Sequence, residues 1–447
     1  MTNKPQPMND NQLRDVAWKI MRAALAAVDP ARAVKNYFAA HPDAAAHIQT
    51  TPGRVFVVGA GKAGAPMAQA VAELFGNAIA GGCVIVKTGH TGKTPPPNID
   101  VRQAAHPVPD ESGLQAARQI EQLLAQTTPD DTVLCLISGG GSALLTLPAE
   151  GISLADLQET TRQLLAAGST INEINTIRKH LSAVKGGGLA RMAAPARIYT
   201  LILSDVVGDP LEVIASGPTV PDPSTFADAW ALVERYRLQN SLPAAVAQRL
   251  RAGVAGLVAD TPKPGNPIFE HVQNQIIGSN LIAARAAVQA AESAGFSAQL
   301  LSTFVEGEAR EVGRVVAGLA KGLLKNETAL ARPACLVLGG ETTVTLKGSG
   351  KGGRNQEMAL AAAIALQGWP NALVVCLGTD GNDGPTDAAG AFADGNTVAR
   401  ARAQGLDAPD FLNRNDAYHF FEALDQLIIT GPTNTNVNDL TLILAGR

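Results

Sequence analysis

The chain alternates between short, nearly unbroken apolar runs and longer segments whose apolar residues recur every three to four positions. Four such runs stand in the first half: RVFVVGAG at 54–61, GCVIVK at 82–87, TVLCLISGGG at 132–141 and YTLILSDV at 199–206. Apolar runs of this length, each followed by a turn and then a helical pattern, predict strands of a parallel sheet covered on both faces. The helical spacing falls at 62–75 and 113–126. Ahead of the first strand, 13–38 predicts one or two amphipathic helices broken near Asp29-Pro30.

Three prolines within 260–267 predict a linker or long surface loop, and with it a second domain. That domain is expected to hold a helix at 279–295, a strand at 298–303 and a helix at 308–324. The segment ACLVLGGETTVTLKG, 334–348, then changes character: ETTVTL alternates apolar residues with threonine, as an antiparallel strand with one exposed face does. A helix at 356–366 and a strand at 373–378 follow. Two final apolar runs, 427–430 and 440–444, flank TNTNVND and predict a closing hairpin, so the second sheet should be mixed. The fold class is α/β with two domains.

Composition narrows the function. Of 447 residues 46% are hydrophobic and 17% charged, enough apolar surface for a sizeable core. The net charge of −4 excludes a nucleic-acid binder that works by bulk basic charge. With aromatics at 4%, base-stacking platforms are not expected either. The uncharged stretch 359–379 is cut by the turn cluster QGWPN, which makes it helix, turn and strand rather than a membrane span. Residues 1–10 show no apolar signal region. The four cysteines lie singly within apolar runs, without metal-ligand spacing, and read as free thiols of a cytoplasmic protein.

The chemistry is concentrated in the loops after the strands. Gly59-Ala60-Gly61-Lys62-Ala63-Gly64 matches the dinucleotide fingerprint, directly after a strand and opening a helix. The second strand, however, ends in Lys87 where such a site wants an acidic residue for the ribose. A dinucleotide site, a different anion site centred on Lys62 and a purely structural turn all stay open. GHTGKT at 89–94 is not a P-loop, because position 87 lacks the required glycine and Pro95 to Pro97 forbid the helix. Ser138-Gly139-Gly140-Gly141-Ser142 follows a buried strand and offers hydroxyls and backbone N–H groups to an anion, against the alternative of a merely flexible turn.

The stretch TINEINTIRKHLSAVKGGGLA, 170–190, puts Ile171, Ile174, Ile177 and Leu181 on one helical face. Asn172, Asn175, Arg178, Lys179 and Lys185 fall on the other, either a solvated face or an oxyanion grip. Asp205 ends a strand where ligands bind in open α/β sheets, or simply caps a turn. Asp380 and Asp383 in GTDGNDG suit a hard cation or an Asx turn.

Taken in order, GAGKAG, SGGGSALL, STINEINTIRKHLSAVKGGGLA, LSDVVGD, IASGPTVPD, GGETTVTLKGSGKGGRNQE, GTDGNDGPTDAAGA and GPTNTNVNDL closely resemble the class II glycerate kinases, whose members are often labelled hydroxypyruvate reductases. The motifs cover most of the chain. The resemblance implies a larger Rossmann-like N-terminal domain, 1–258, a C-terminal MOFRL domain, 268–447, and an active site in the cleft between them. It implies transfer from ATP to the 2-hydroxyl of D-glycerate, giving 2-phosphoglycerate and ADP, with a divalent cation such as Mg²⁺. The family's key lysine, aspartate and arginine fall on Lys62, Asp205 and Arg354. In this reading Ser138, Gly139, Gly140, Gly141 and Ser142 cradle nucleotide phosphates, and Asn175, Arg178 and Lys185 bind the substrate. Asp380 and Asp383 are the candidate metal ligands. The partners are small molecules, glycerate and ATP, with neither nucleic acid nor membrane, and the expected assembly is a homodimer. NAD(P)H-dependent reduction of hydroxypyruvate is the alternative.

Overall fold

The computed structural model describes residues 8, 10–92 and 94–446. Most of the polar N-terminal stretch, and Lys93 of the GHTGKT loop, lie outside the described residues. The chain divides into two compact units, Pro30–Ile277 and a discontinuous one made of Met1–Asp29 with Gly278–Arg447.

The Pro30–Ile277 unit is built on a six-stranded sheet: β1 (Val55–Ala60), β2 (Ile79–Lys87), β3 (Asp100–Ala104), β4 (Thr132–Ile137), β5 (Arg197–Leu203) and β6 (Val272–Gly278), in the order β3-β2-β1-β4-β5-β6. The first five run parallel. β1 and β4 are buried at every position, which is why they read as unbroken apolar runs. The chain moves outward from β1 to β3 and then returns to β4 on the other side of β1. That reversal opens a crevice at the carboxyl ends of β1 and β4, the place where open α/β sheets bind ligands. In-register pairing from Val55↔Thr132 to Ala60↔Ile137 ends both strands at one level, so GAGKAG and SGGGS emerge side by side.

Two sequence expectations change here. The proline-rich segment 260–267 is not a linker: Thr261 and Pro262 are buried, Thr261 Oγ1 donates to Asp222 Oδ2 at 2.9 Å, and Asp222 N donates to Pro262 O. The chain then contributes β6 to the first sheet. The division therefore falls after Ile277 rather than at 258–268, and residues 1–29 belong with the C-terminal part.

The second unit holds β7 (Ser297–Glu308), β8 (Ala334–Thr343), β9 (Ala372–Gly378), β10 (Gly390–Asp394), β11 (Leu427–Ile428) and β12 (Asp439–Ala445), in the order β11-β10-β9-β12-β8-β7. The sheet is mixed, as expected, since β7 and β8 are parallel while β12 is antiparallel to both β8 and β9. The closing hairpin is absent. β12 inserts between β8 and β9, and β11 pairs with β10. The ETT of ETTVTL continues β8 rather than starting a separate strand, because β8 is a central strand with partners on both sides. Helix Asp10–Ala27 completes this unit by burying Leu13, Ala17, Ile20, Met21 and Ala24. Thr435 Oγ1 donates to Val28 O at 2.8 Å just beyond it.

All four cysteines are buried in strands, and burial pushes their thiols up, to about 12 for Cys83, Cys135 and Cys335. No helix among the described residues is long and apolar enough to cross a membrane.

Candidate active site

The GAGKAG turn is closed to a dinucleotide by its own hydrogen bonds. Gly61 N donates to Ile85 O at 3.0 Å, Lys62 N to Gly139 O at 2.9 Å, Ala63 N to Ser138 Oγ at 3.0 Å and Gly64 N to Gly61 O at 3.0 Å. The N–H groups that a pyrophosphate would need are thus satisfied internally. The turn instead ties two loops together and fixes the base of the Lys62 side chain. Among the described residues the Lys62 ammonium forms no ion pair.

Next to it, SGGGS keeps backbone donors available. Gly139 and Gly140 N–H meet no acceptor among the described residues. Gly140 is left-handed at φ 81°, and a Cβ there would stand 3.0–3.1 Å from the His106 ring and 3.6 Å from Lys62 Cγ. Gly139 is required on its other side. A Cβ there would run into the carboxylate of Asp205, which leaves the end of β5. Lys62, the glycine loop and Asp205 are therefore brought together at the switch point. The two serines are turned inward, however: Ser138 Oγ accepts from Ala63 N, and Ser142 Oγ lies 2.8 Å from Ser216 Oγ. The helical stretch expected after the loop is a single turn, Gly141–Leu144.

Helix Ile171–His180 resolves the question of its polar face. A capping box between Thr170 and Glu173 starts it. Asn175 is buried, whereas Ile171 of the apolar face is exposed. Ile174, Ile177 and Leu181 are buried as well, so the helix is covered on both sides, with Asn175 and Arg178 turned into the protein and Asn172 exposed. Arg178 Nη2 donates to Ser142 O at 3.1 Å, and Lys185 Nζ donates to the same carbonyl at 2.5 Å and to Ser142 Oγ at 3.1 Å. Burial holds both cations below their usual values, and Arg178 adds to the effect on Lys185. Neither has a carboxylate partner among the described residues, whereas the adjacent Lys179 pairs with Asp222 at 3.3 Å. Two desolvated cations on one neutral carbonyl are costly unless an anion joins them.

Sequence reasoning missed His90, His106 and Ser216. Burial, and after it the positive charge of Lys62 and Lys87, keeps both imidazoles below the usual histidine range. His106 lies just past β3, itself a strand the pattern did not reveal; its place after a parallel strand was the available signal.

In the second unit the picture differs. Arg354 opens helix Arg354–Ala365. Its Nε and Nη2 grip Asp439 Oδ2 and Oδ1 at 2.6 and 3.0 Å, and Nη1 meets Glu341 Oε1 at 2.6 Å. Asp439, pushed up by burial and held back in part by Arg354, sits at about 6. Asp383 has a structural task of its own. Its Oδ1 accepts from Asn355 N and Nδ2, and its Oδ2 from Gln356 N at 2.8 Å, so it caps the helix that Arg354 begins. Asp380 Oδ1 accepts from Asn382 N in an Asx turn. The oxygens expected to hold a cation thus serve backbone N–H groups. No cluster of three or more His, Cys, Asp or Glu side chains suited to a metal occurs among the described residues.

Comparison with known proteins supplies the family. Residues 16–251 match a domain described as of unknown function, DUF4147, and 334–439 match the MOFRL family. The D-glycerate 2-kinase of Thermotoga maritima is 42% identical over 96% of this chain and 98% of its own length. The glycerate 2-kinase of Pyrococcus horikoshii is 41% identical over 97% of each chain. A protein of Agrobacterium vitis named putative hydroxypyruvate reductase is 43% identical over 98% of this chain and 96% of its own. The crystal structure of the T. maritima glycerate kinase superposes with a TM-score of 0.89, covering 97% of this chain and all of that one. With both halves matched in order and near-complete coverage of its relatives, the chain belongs to the class II glycerate kinases.

Proposed function

We propose that this protein transfers the terminal phosphoryl group of ATP to the 2-hydroxyl of D-glycerate, releasing ADP and 2-phosphoglycerate. The observation that carries the reading is the set of cations along the loop after β4, with Lys62 and Asp205 against Gly140 and Gly139, and Arg178 and Lys185 on the Ser142 carbonyl two residues on. Phosphoryl transfer asks a protein mainly for positioning and charge neutralisation, and the phosphates of ATP with the carboxylate of glycerate suit such a set. Lys62 holds the migrating phosphoryl group, and Gly139 and Gly140 N–H receive nucleotide phosphate oxygens. Arg178, Lys185 and Asn175 hold a second oxyanion. Asp205, seated against Gly139, orients the attacking hydroxyl and accepts its proton. Arg354 enters this reading through the family motif.

Magnesium enters as the companion of the ATP phosphates, whose charge it neutralises, and not as an ion caged by protein carboxylates. The reductase alternative is disfavoured by the closed GAGKAG turn and by Lys87 at the end of β2. A cytoplasmic homodimer remains part of the proposal, with light scattering as its check.

One assay decides between the chemistries. Glycerate, ATP and Mg²⁺ together should release ADP, with phosphorus NMR identifying 2-phosphoglycerate. NADH or NADPH consumption with hydroxypyruvate and no ADP would overturn the kinase, and clean 3-phosphoglycerate would overturn the regiochemistry. If Asp205 and Arg354 act as one unit, Asp205→Asn and Arg354→Ala will each cripple turnover and their combination will cost far less than the product.

A further inference from the structure

Residues 215–217 are three consecutive left-handed positions, with φ of 50°, 62° and 62° at Ala215, Ser216 and Gly217. For alanine and serine this is a disfavoured backbone, and it persists because its surroundings dictate it. Ser216 N donates to Val213 O at 2.9 Å, Gly186 N to Ser216 O at 2.9 Å and Gly187 N to Gly217 O at 2.8 Å. The result is a fully buried hydroxyl set between two loops. Ser216 Oγ donates to Asn175 Oδ1 at 3.2 Å and lies 2.8 Å from Ser142 Oγ, which also receives Lys185 Nζ at 3.1 Å.

The donor inventory fixes the direction of every bond in this chain. A side-chain amide oxygen only accepts, so the single Ser216 proton goes to Asn175. Ser216 Oγ must then accept from Ser142, and Ser142 Oγ in turn accepts from Lys185. Ser142 has no proton left for a ligand. With Oδ1 committed, Asn175 is left to present its Nδ2 group, which has no partner among the described residues. A guanidinium and an ammonium meet at the Ser142 carbonyl, and the Asn175 amide is joined to them through Ser216 and Ser142.

We propose that Ser216 is a specificity-determining positioning residue: it locks the Asn175 amide so that the end left for a ligand is the Nδ2 donor, on the same hydrogen-bonded chain as the Lys185 cation, and so selects an oxyanion over an alcohol or aldehyde. This rests on the kinase reading above. The ligand chemistry is a carboxylate or a phosphate, and the two sources are separable by kinetics.

The test is steady-state kinetics of three variants with glycerate and ATP varied in turn. Ser216→Gly keeps the left-handed backbone and removes the hydroxyl, and Ser216→Ala removes the hydroxyl while keeping the strain. Asn175→Asp leaves Ser216 untouched and replaces the NH₂ donor with an acceptor. Each Ser216 variant should raise one KM by roughly tenfold, and Asn175→Asp by roughly a hundredfold, with kcat changed much less. A rise confined to the glycerate KM assigns the substrate carboxylate; a rise confined to the ATP KM assigns a nucleotide phosphate. Unchanged KM values for both substrates in Ser216→Gly, or in Asn175→Asp should the serine variants not fold, would overturn the proposal. A wild-type protein without turnover would instead overturn the kinase reading.

Discussion

At the carboxyl ends of β1, β4 and β5 cations stand with few carboxylates, while around Arg354 the balance is reversed. Lys62 has no ion pair among the described residues, and Arg178 and Lys185 share one carbonyl. Arg354, by contrast, is clamped by Asp439 and Glu341, with Asp383 capping the same helix. The first region carries charge that its own fold does not neutralise; the second is neutralised in place. A protein that leaves desolvated cations unpaired gives up stability, and an anionic ligand is the partner that restores it. The difference separates groups positioned for a ligand from groups that also hold the fold together.

Lys62→Met attacks the first region most directly. Losing one electrostatic clamp on developing charge should lower kcat roughly 10²–10³-fold, with the melting temperature unchanged because no ion pair is broken. Near-normal turnover would make Lys62 peripheral. Arg354→Met should behave differently by leaving the buried Asp439 uncompensated, at a cost of roughly 3 kcal/mol in urea unfolding. An unfolding midpoint equal to wild type would erase the contrast between the regions.

Lys185→Met sharpens it from the other direction. Removing a buried, unpaired cation should leave the protein equally or more stable, by up to about 1 kcal/mol, while weakening the stabilisation conferred by inorganic phosphate in a thermal melt. A clear loss of stability without phosphate would show that the cation is already balanced in the free protein.

The smallest effect is in pH dependence. Burial pushes the Asp383 carboxyl up to about 7, offset in part by the N–H groups of Gln356 and Asn355. A folded-state value above the unfolded one means the native protein keeps a proton that the unfolded chain releases. The stability from this group is full below the ordinary carboxylate range and is lost as pH rises through about 7. Asp383→Asn should therefore flatten the decline in stability between about pH 4 and 7, read from urea midpoints. A parallel decline in both proteins would exclude Asp383 as its source.

Much of this was legible along the chain, for reasons that can be named. Parallel strands buried on both faces leave unbroken apolar runs, so β1, β2, β4 and β5 were evident. β3 was not, because an edge strand reading DVRQA is largely exposed. The position of β12 between β8 and β9 could not be read, since pairing partners distant in sequence leave no local mark. Lys62, Asp205 and the glycine loop stood out by strand-end position and by family motif. The inward turn of Asn175 and Arg178 did not, because a polar helix face looks the same whether it meets water or a buried site. The capping role of Asp383 was not legible either, because acidic residues among glycines suit a cation as well as a helix N-terminus.

The division of the chain also bears on its synthesis. Helix Asp10–Ala27 leaves the ribosome well before the strands and helices it packs with, which begin only at Gly278. Its apolar face must remain uncovered, or be shielded by a chaperone, while some 250 residues are made, at a few to twenty residues per second. The Pro30–Ile277 unit is continuous and is free to fold during that interval. An expression fragment starting at Gly278 would lack this helix and expose the surface it covers, so a soluble C-terminal half is better sought by appending residues 1–29 through a linker.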